Sequence, residues 1–95
     1  MSKKSAYQEK LEAQLHEWDA KIDVLKAKAE KSEASAKVKY KETIEDLKKK
    51  RAAAKDKLQE LQRAGEDAWE ALKDGVEKSW SELGSALESA KEKFE

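Results

Sequence analysis

The chain contains no cysteine and no proline, and only three of its 95 residues are glycine. Without cysteine there is neither a disulfide framework nor a thiolate metal site, and the redox compartment leaves no trace in the sequence. Without proline, nothing of that kind interrupts a helix from within. Large apolar side chains are scarce as well: nine leucines, two isoleucines, three valines and one phenylalanine, below the usual globular share. A chain this short and this poor in such residues has difficulty enclosing a deep core unless its helices pair or oligomerise. No apolar run approaches the ~20 residues of a membrane span. The basic start, MSKKSAYQEKLEAQ, is not followed by the apolar stretch of a signal peptide. These absences lead us to expect a soluble, cytoplasmic protein. Net charge is also lacking, because 21 basic residues balance 21 acidic ones, so the low hydrophobicity is not joined by the charge excess of a disordered chain.

What the chain does have is charge and helix formers. Charged residues make up 44% of it, and Ala, Glu, Lys and Leu dominate, as in a coiled coil or long helix. Hydrophobic periodicity is the strongest signal. On a wheel at ~100° per residue, Tyr7, Leu11, Leu15, Trp18, Ile22, Leu25, Tyr40, Ile44, Leu47, Leu58, Leu61, Trp69, Leu72, Val76, Trp80, Leu83, Leu87 and Phe94 fall within about 100° of arc. Val24, Val38 and Met1 miss it. Ala29, Ala36, Ala54 and Ala68 continue the line where large residues are missing. A stripe this narrow is a seam for another helix rather than the broad face of a globular-core helix. In the last third it keeps an eleven-residue step, Trp69 to Trp80, Leu72 to Leu83 to Phe94, and Val76 to Leu87, so these helices can run nearly straight. In period this step resembles apolipoproteins and late-embryogenesis desiccation proteins.

The clearest break is Arg63-Ala64-Gly65-Glu66-Asp67, where Gly65 suits a helix C-terminal cap and Glu66 or Asp67 can start the next helix. We expect residues 1–4 to be flexible, residues 5–63 to form a long charged amphipathic helix, and residues 66–94 to form a C-terminal one. A second possible turn lies at residues 31–36, where Ser32 or Ser35 could cap a following helix and make a three-helix bundle. Neither Gly nor Pro supports it, and Glu33/Lys37, an acid-before-base pair four apart, spans it. Similar pairs recur at Glu17/Lys21, Glu45/Lys49, Asp46/Lys50 and Asp74/Lys78. We therefore expect the first helix to run through. Gly75 and Gly84 weaken the second by ~1 kcal/mol each without ending it. Residues 1–63 hold 17 basic and 12 acidic side chains, while residues 64–95 hold 4 and 9. The opposite signs favour docking of the second segment on the first, within or between chains, unless the asymmetry is an incidental feature of solvated surface.

Candidate chemical sites are few. His16, the lone imidazole, has Glu12 and Asp19 a turn away, but a metal needs further converging ligands, so we read it as solvent-facing. Carboxylates are dispersed among lysines and no nucleophile, acid/base couple or phosphate loop stands out. We expect no enzyme, no cofactor, no metal and no small-molecule substrate. Lys48-Lys49-Lys50-Arg51 spreads around a helix instead of forming one basic face, which argues against a nucleic-acid partner. Trp69 and Trp80, flanked by Lys73 and Lys91, are seam residues on the favoured reading and a lipid-inserting pair on the alternative.

The runs Ala27-Lys28-Ala29-Glu30-Lys31 to Lys39-Tyr40, Ile44-Glu45-Asp46-Leu47-Lys48 with Arg51-Ala52-Ala53-Ala54, and above all Gly65-Glu66-Asp67-Ala68-Trp69-Glu70-Ala71-Leu72-Lys73 with Gly75-Val76-Glu77-Lys78-Ser79-Trp80 carry a resemblance. Over most of its length the chain resembles small bacterial coiled-coil proteins grouped as stress-response proteins of unassigned biochemistry. That resemblance implies a bacterial cytoplasmic protein with a role under stress and supplies no site residues. The expectation is an all-α protein, a coiled coil or elongated helical bundle. We expect a non-catalytic, oligomeric scaffold that self-associates through the stripe. The alternative is a peripheral membrane protein docking its C-terminal helix on lipid.

Overall fold

A computed structural model describes residues 2–94 and is all-α. Helix α1 spans Lys3–Lys31, α2 spans Ala34–Arg63, and α3 spans Lys73–Phe94, preceded by a single 3-10 turn over Trp69–Leu72. The Ser2 hydroxyl opens α1 by accepting the Ser5 amide at 3.1 Å, satisfying one of the four free donors of a helix start. Ordered helix thus begins at Lys3, inside the segment expected to be flexible, and Met1 lies outside the described residues. Lys28 and Lys31 in the last turn face the negative end of the α1 dipole.

The helix expected to run through residues 5–63 is divided, within the possible turn at residues 31–36. Ser32 and Glu33 take extended backbone, with φ/ψ of −82°/163° and −68°/158°, and the chain reverses. Magnitudes explain why the charge pairs did not prevail. Each exposed pair is worth ~0.2–0.5 kcal/mol, whereas each leucine-sized side chain removed from water is worth ~1.5–3 kcal/mol. A lone straight helix leaves the whole stripe in water; the hairpin buries Leu11, Leu15, Ile22 and Leu25 against Tyr40, Ile44, Leu47, Leu58 and Leu61. The capping roles also differ from expectation. Ser32 closes α1, its hydroxyl donating to the Ala29 carbonyl at 2.7 Å, and Glu33 is the N-cap of α2 without a side-chain bond.

The second break is where the sequence places it, with different geometry. Ala64, in extended backbone, ends α2, and Gly65 does not enter the left-handed region, since no described glycine has positive φ. Instead its carbonyl accepts the Ala68 and Trp69 amides at 3.0 Å and 3.2 Å, a tight turn that delivers Trp69 into the core at 5% exposure. The regular α-helix therefore starts at Lys73, not at residue 66. Lys4 ties this corner to the start of α1: its Nζ donates to the Gln62 carbonyl at 3.2 Å and to the Ala64 carbonyl, two acceptors that the end of α2 leaves free.

Cross-helix contacts fix the directions. Asp19 meets Arg51 and Glu12 meets Gln62, so α1 and α2 are antiparallel. Tyr40 stacks on Phe94, so α3 runs antiparallel to α2. Tyr7 meets Trp69, and Trp18 meets Trp80, so α3 runs parallel to α1. The result is an up-down-up bundle measuring 51 × 20 × 19 Å.

Candidate interaction surface

Of the seventeen residues read as a helix or lipid interface, fourteen are buried in one cluster: Leu11, Leu15, Ile22, Leu25, Tyr40, Ile44, Leu47, Leu58, Leu61, Trp69, Val76, Trp80, Leu83 and Leu87. The other three, Trp18, Leu72 and Phe94, are half-buried and pack on its margin, as does Tyr7. Val24 and Val38, off the stripe in sequence, are 54% and 60% exposed. The seam is therefore occupied inside a single chain. Ala54 is fully buried and Ala29 and Ala36 are half-buried, but Ala68, expected on the same line, is exposed in the turn before Trp69. Ala90, at 2% exposure, belongs to the core and was missed. Its signal was present, for it stands three residues after Leu87 and four before Phe94.

Three aromatic pairs lie along the bundle. Tyr7 and Trp69 are 5.6 Å apart and tilted, with Lys73 Nζ 5.3 Å from the tyrosine centroid and 5.4 Å from the tryptophan centroid. Trp18 and Trp80 are 6.5 Å apart and tilted, while Tyr40 and Phe94 stack at 3.9 Å. Each pair joins α3 or its entry turn to another helix, so docking of the C-terminal segment rests on rings and aliphatic side chains. The Trp80 indole N–H is buried without a hydrogen-bond partner among the described residues, which costs ~1–3 kcal/mol against the gain from the ring.

The Trp18 side of the bundle is less completely closed. An open groove of about 780 Å³ runs between the second half of α1 and α3, lined by Trp18, Leu25, Gly84, Leu87 and Phe94 with lysines and glutamates at its rim. Gly84 forms a notch for Trp18. A Cβ there would stand 3.2 Å from Trp18 Cζ2 and 3.3 Å from Cη2, whereas one at Gly75 meets Lys57 at 4.0 Å, ordinary contact. Gly75→Ala should therefore gain most of the ~1 kcal/mol of helix propensity and raise the melting temperature by about 4–8 °C. Gly84→Ala should gain less, because Trp18 must tilt. Thermal melts followed by circular dichroism check the order; an equal or larger gain at Gly84 contradicts the notch.

One ion pair crosses between helices in a form that the sequence concealed. Arg51, read as part of a basic run spread around a helix, donates Nε and Nη2 to the two Asp19 carboxylate oxygens at 2.7 Å and 2.8 Å. These bonds hold the Asp19 carboxyl below its ordinary value of 3.8, against the opposing effect of burial. Because the folded value is the lower one, the unfolded chain takes up the proton first on acidification. The stabilisation is present above about pH 4 and disappears as pH falls through the folded value. We expect Asp19→Asn to cost about 0.5–1 kcal/mol at pH 7. The difference from wild type should vanish in strong acid, read from urea midpoints at the two pH values. Tyr7 moves the other way, pushed above its ordinary 10.0 first by burial and then by Glu77, whose carboxylate accepts its hydroxyl at 3.4 Å.

Glu17–Lys21 and Asp46–Lys50 close at 4.0 Å and 2.7 Å. His16 is exposed, and the described residues include no group of three or more His, Cys, Asp or Glu that could hold a metal. No described helix is long and apolar enough to cross a membrane. No family model, curated protein or solved structure matches the chain.

Proposed function

We propose that this chain is a non-catalytic helical scaffold that acts by associating with copies of itself through the stripe that closes its own bundle. The observation that carries the reading is the use of the apolar inventory. The large apolar residues lie overwhelmingly on seams between helices, and the outside is charge, so the chemistry on offer is helix–helix recognition. A seam that joins three helices of one chain is equally complementary to the same helices of another. The resemblance to bacterial stress-response coiled coils extends the proposal to a cytoplasmic role under stress. Lipid docking through Trp69 and Trp80 is a less direct reading, because both rings are 5% exposed and the bundle must open before either reaches a membrane. Light scattering across a concentration series tests the proposal. A dimer or larger species that grows with concentration supports it, and a monomer at every concentration, before and after refolding at high concentration, overturns it.

A further inference from the structure

The turn between α1 and α2 is unusual in what its sequence encodes. A reversal has no need to preserve helical phase, yet the stripe crosses this one in register. Leu25, Ala29, Ala36 and Tyr40 stand at intervals of four, seven and four, one face of an uninterrupted helix. The segment from Lys31 to Ala36 contains neither Gly nor Pro, and only Ser32 and Glu33 leave helical geometry between α1 and α2. The turn is also lightly fastened. Its cap bonds are those of Ser32 to the Ala29 carbonyl, 2.7 Å from the hydroxyl and 3.2 Å from the amide, and the Glu33 side chain caps nothing. Both flanking turns expose most of their side chains, and no residue between Leu25 and Tyr40 is buried.

We propose that Ser32–Glu33 is a hinge that can straighten, joining α1 and α2 into one helix and producing a dimer of two copies by exchange. In that dimer α1 of each copy packs on α2 and α3 of the other, so the contacts of α1 are re-formed between chains while those of α2 with α3 stay within each. The backbone amides and carbonyls left free at the two helix ends bond along the joined helix. The half-buried alanines Ala29 and Ala36 occupy the new crossing, small enough for the two long helices to approach. The partner is therefore a second copy of this chain, and the surface is the bundle's own seam. This inference rests on the self-association reading and specifies its route.

Two substitutions bias the hinge in opposite directions. Ser32→Ala removes the hydroxyl bond to Ala29 and supplies a better helix former. Glu33→Pro fits the closed turn, since the Glu33 φ of −68° is that of proline and Ser32 is already extended, but it cannot sit inside a continuous helix. Wild type, Ser32→Ala and Glu33→Pro are each refolded at high concentration and measured by light scattering and small-angle X-ray scattering. The expected result is a dimer share at least tenfold higher in Ser32→Ala than in wild type. Its longest dimension should be about 90 Å, the length of a helix of some sixty residues, whereas Glu33→Pro should remain a monomer of the closed bundle's 51 Å. A dimer equally abundant in Glu33→Pro overturns the hinge and leaves self-association standing, by another surface. Monomer alone in all three variants overturns both.

Discussion

Leu83→Asp is expected to abolish the folded bundle, with loss of most helical ellipticity at 25 °C and no cooperative thermal transition. Leu83 is wholly buried in the middle of α3. Removing a leucine of this kind typically costs about 2–5 kcal/mol, and an ionised carboxylate in its place adds a desolvation penalty with no counter-charge prepared for it. A domain of this size has only about 5–15 kcal/mol to lose, and a helix pattern this charged does not hold its form without tertiary packing. Val24→Asp makes the same chemical change at a position that is 54% exposed, and should stay within about 0.5 kcal/mol of wild type. A Leu83→Asp protein that melts cooperatively near the wild-type temperature contradicts the placement of α3 in the core.

Trp69→Ala should cost about 3–5 kcal/mol, seen as a large fall in the urea midpoint with little change in its slope. The ring is buried at the corner where α2 hands over to α3, against Tyr7 of α1 and beside Lys73. Its loss opens a cavity and releases the contact that sets the angle of entry into α3. Leu72→Ala, three residues along but only half-buried, should cost clearly less. If the two substitutions prove equal, the 3-10 turn does not deliver Trp69 to the core as described.

The difference between these neighbours bears on what the sequence could disclose. Burial along the helices was legible because a 3.6-residue period assigns each side chain to a face before any partner is known; Val24 and Val38 are off the stripe and exposed, while Leu47, Leu61 and Leu83 are on it and fully buried. The reversal at Ser32–Glu33 was legible only as one of two alternatives, marked by the serines of residues 31–36, because the stripe keeps its phase across it and neither Gly nor Pro stands there. What decides it is the apolar area gained by folding back, a property of the whole chain. Gly65 shows the limit of local rules in another way: it marks the break, but its carbonyl rather than a left-handed φ makes the turn. Asp19–Arg51 and the Trp18–Gly84 notch depend on the register between helices and the depth of their approach. Neither quantity is present in any one segment of sequence.

The claim on which the rest depends is that the stripe is already satisfied by the chain's own helices. Tryptophan emission tests it most directly, measured in a Trp18→Phe variant so that only Trp69 and Trp80, both 5% exposed, contribute. The structure predicts a blue-shifted spectrum in plain buffer, unchanged by dilution and by added vesicles of neutral or anionic lipid, since both the closed bundle and an exchanged dimer keep the two rings buried. A red-shifted spectrum in buffer that turns blue only when vesicles are added contradicts it, and would mean that the stripe waits for a membrane.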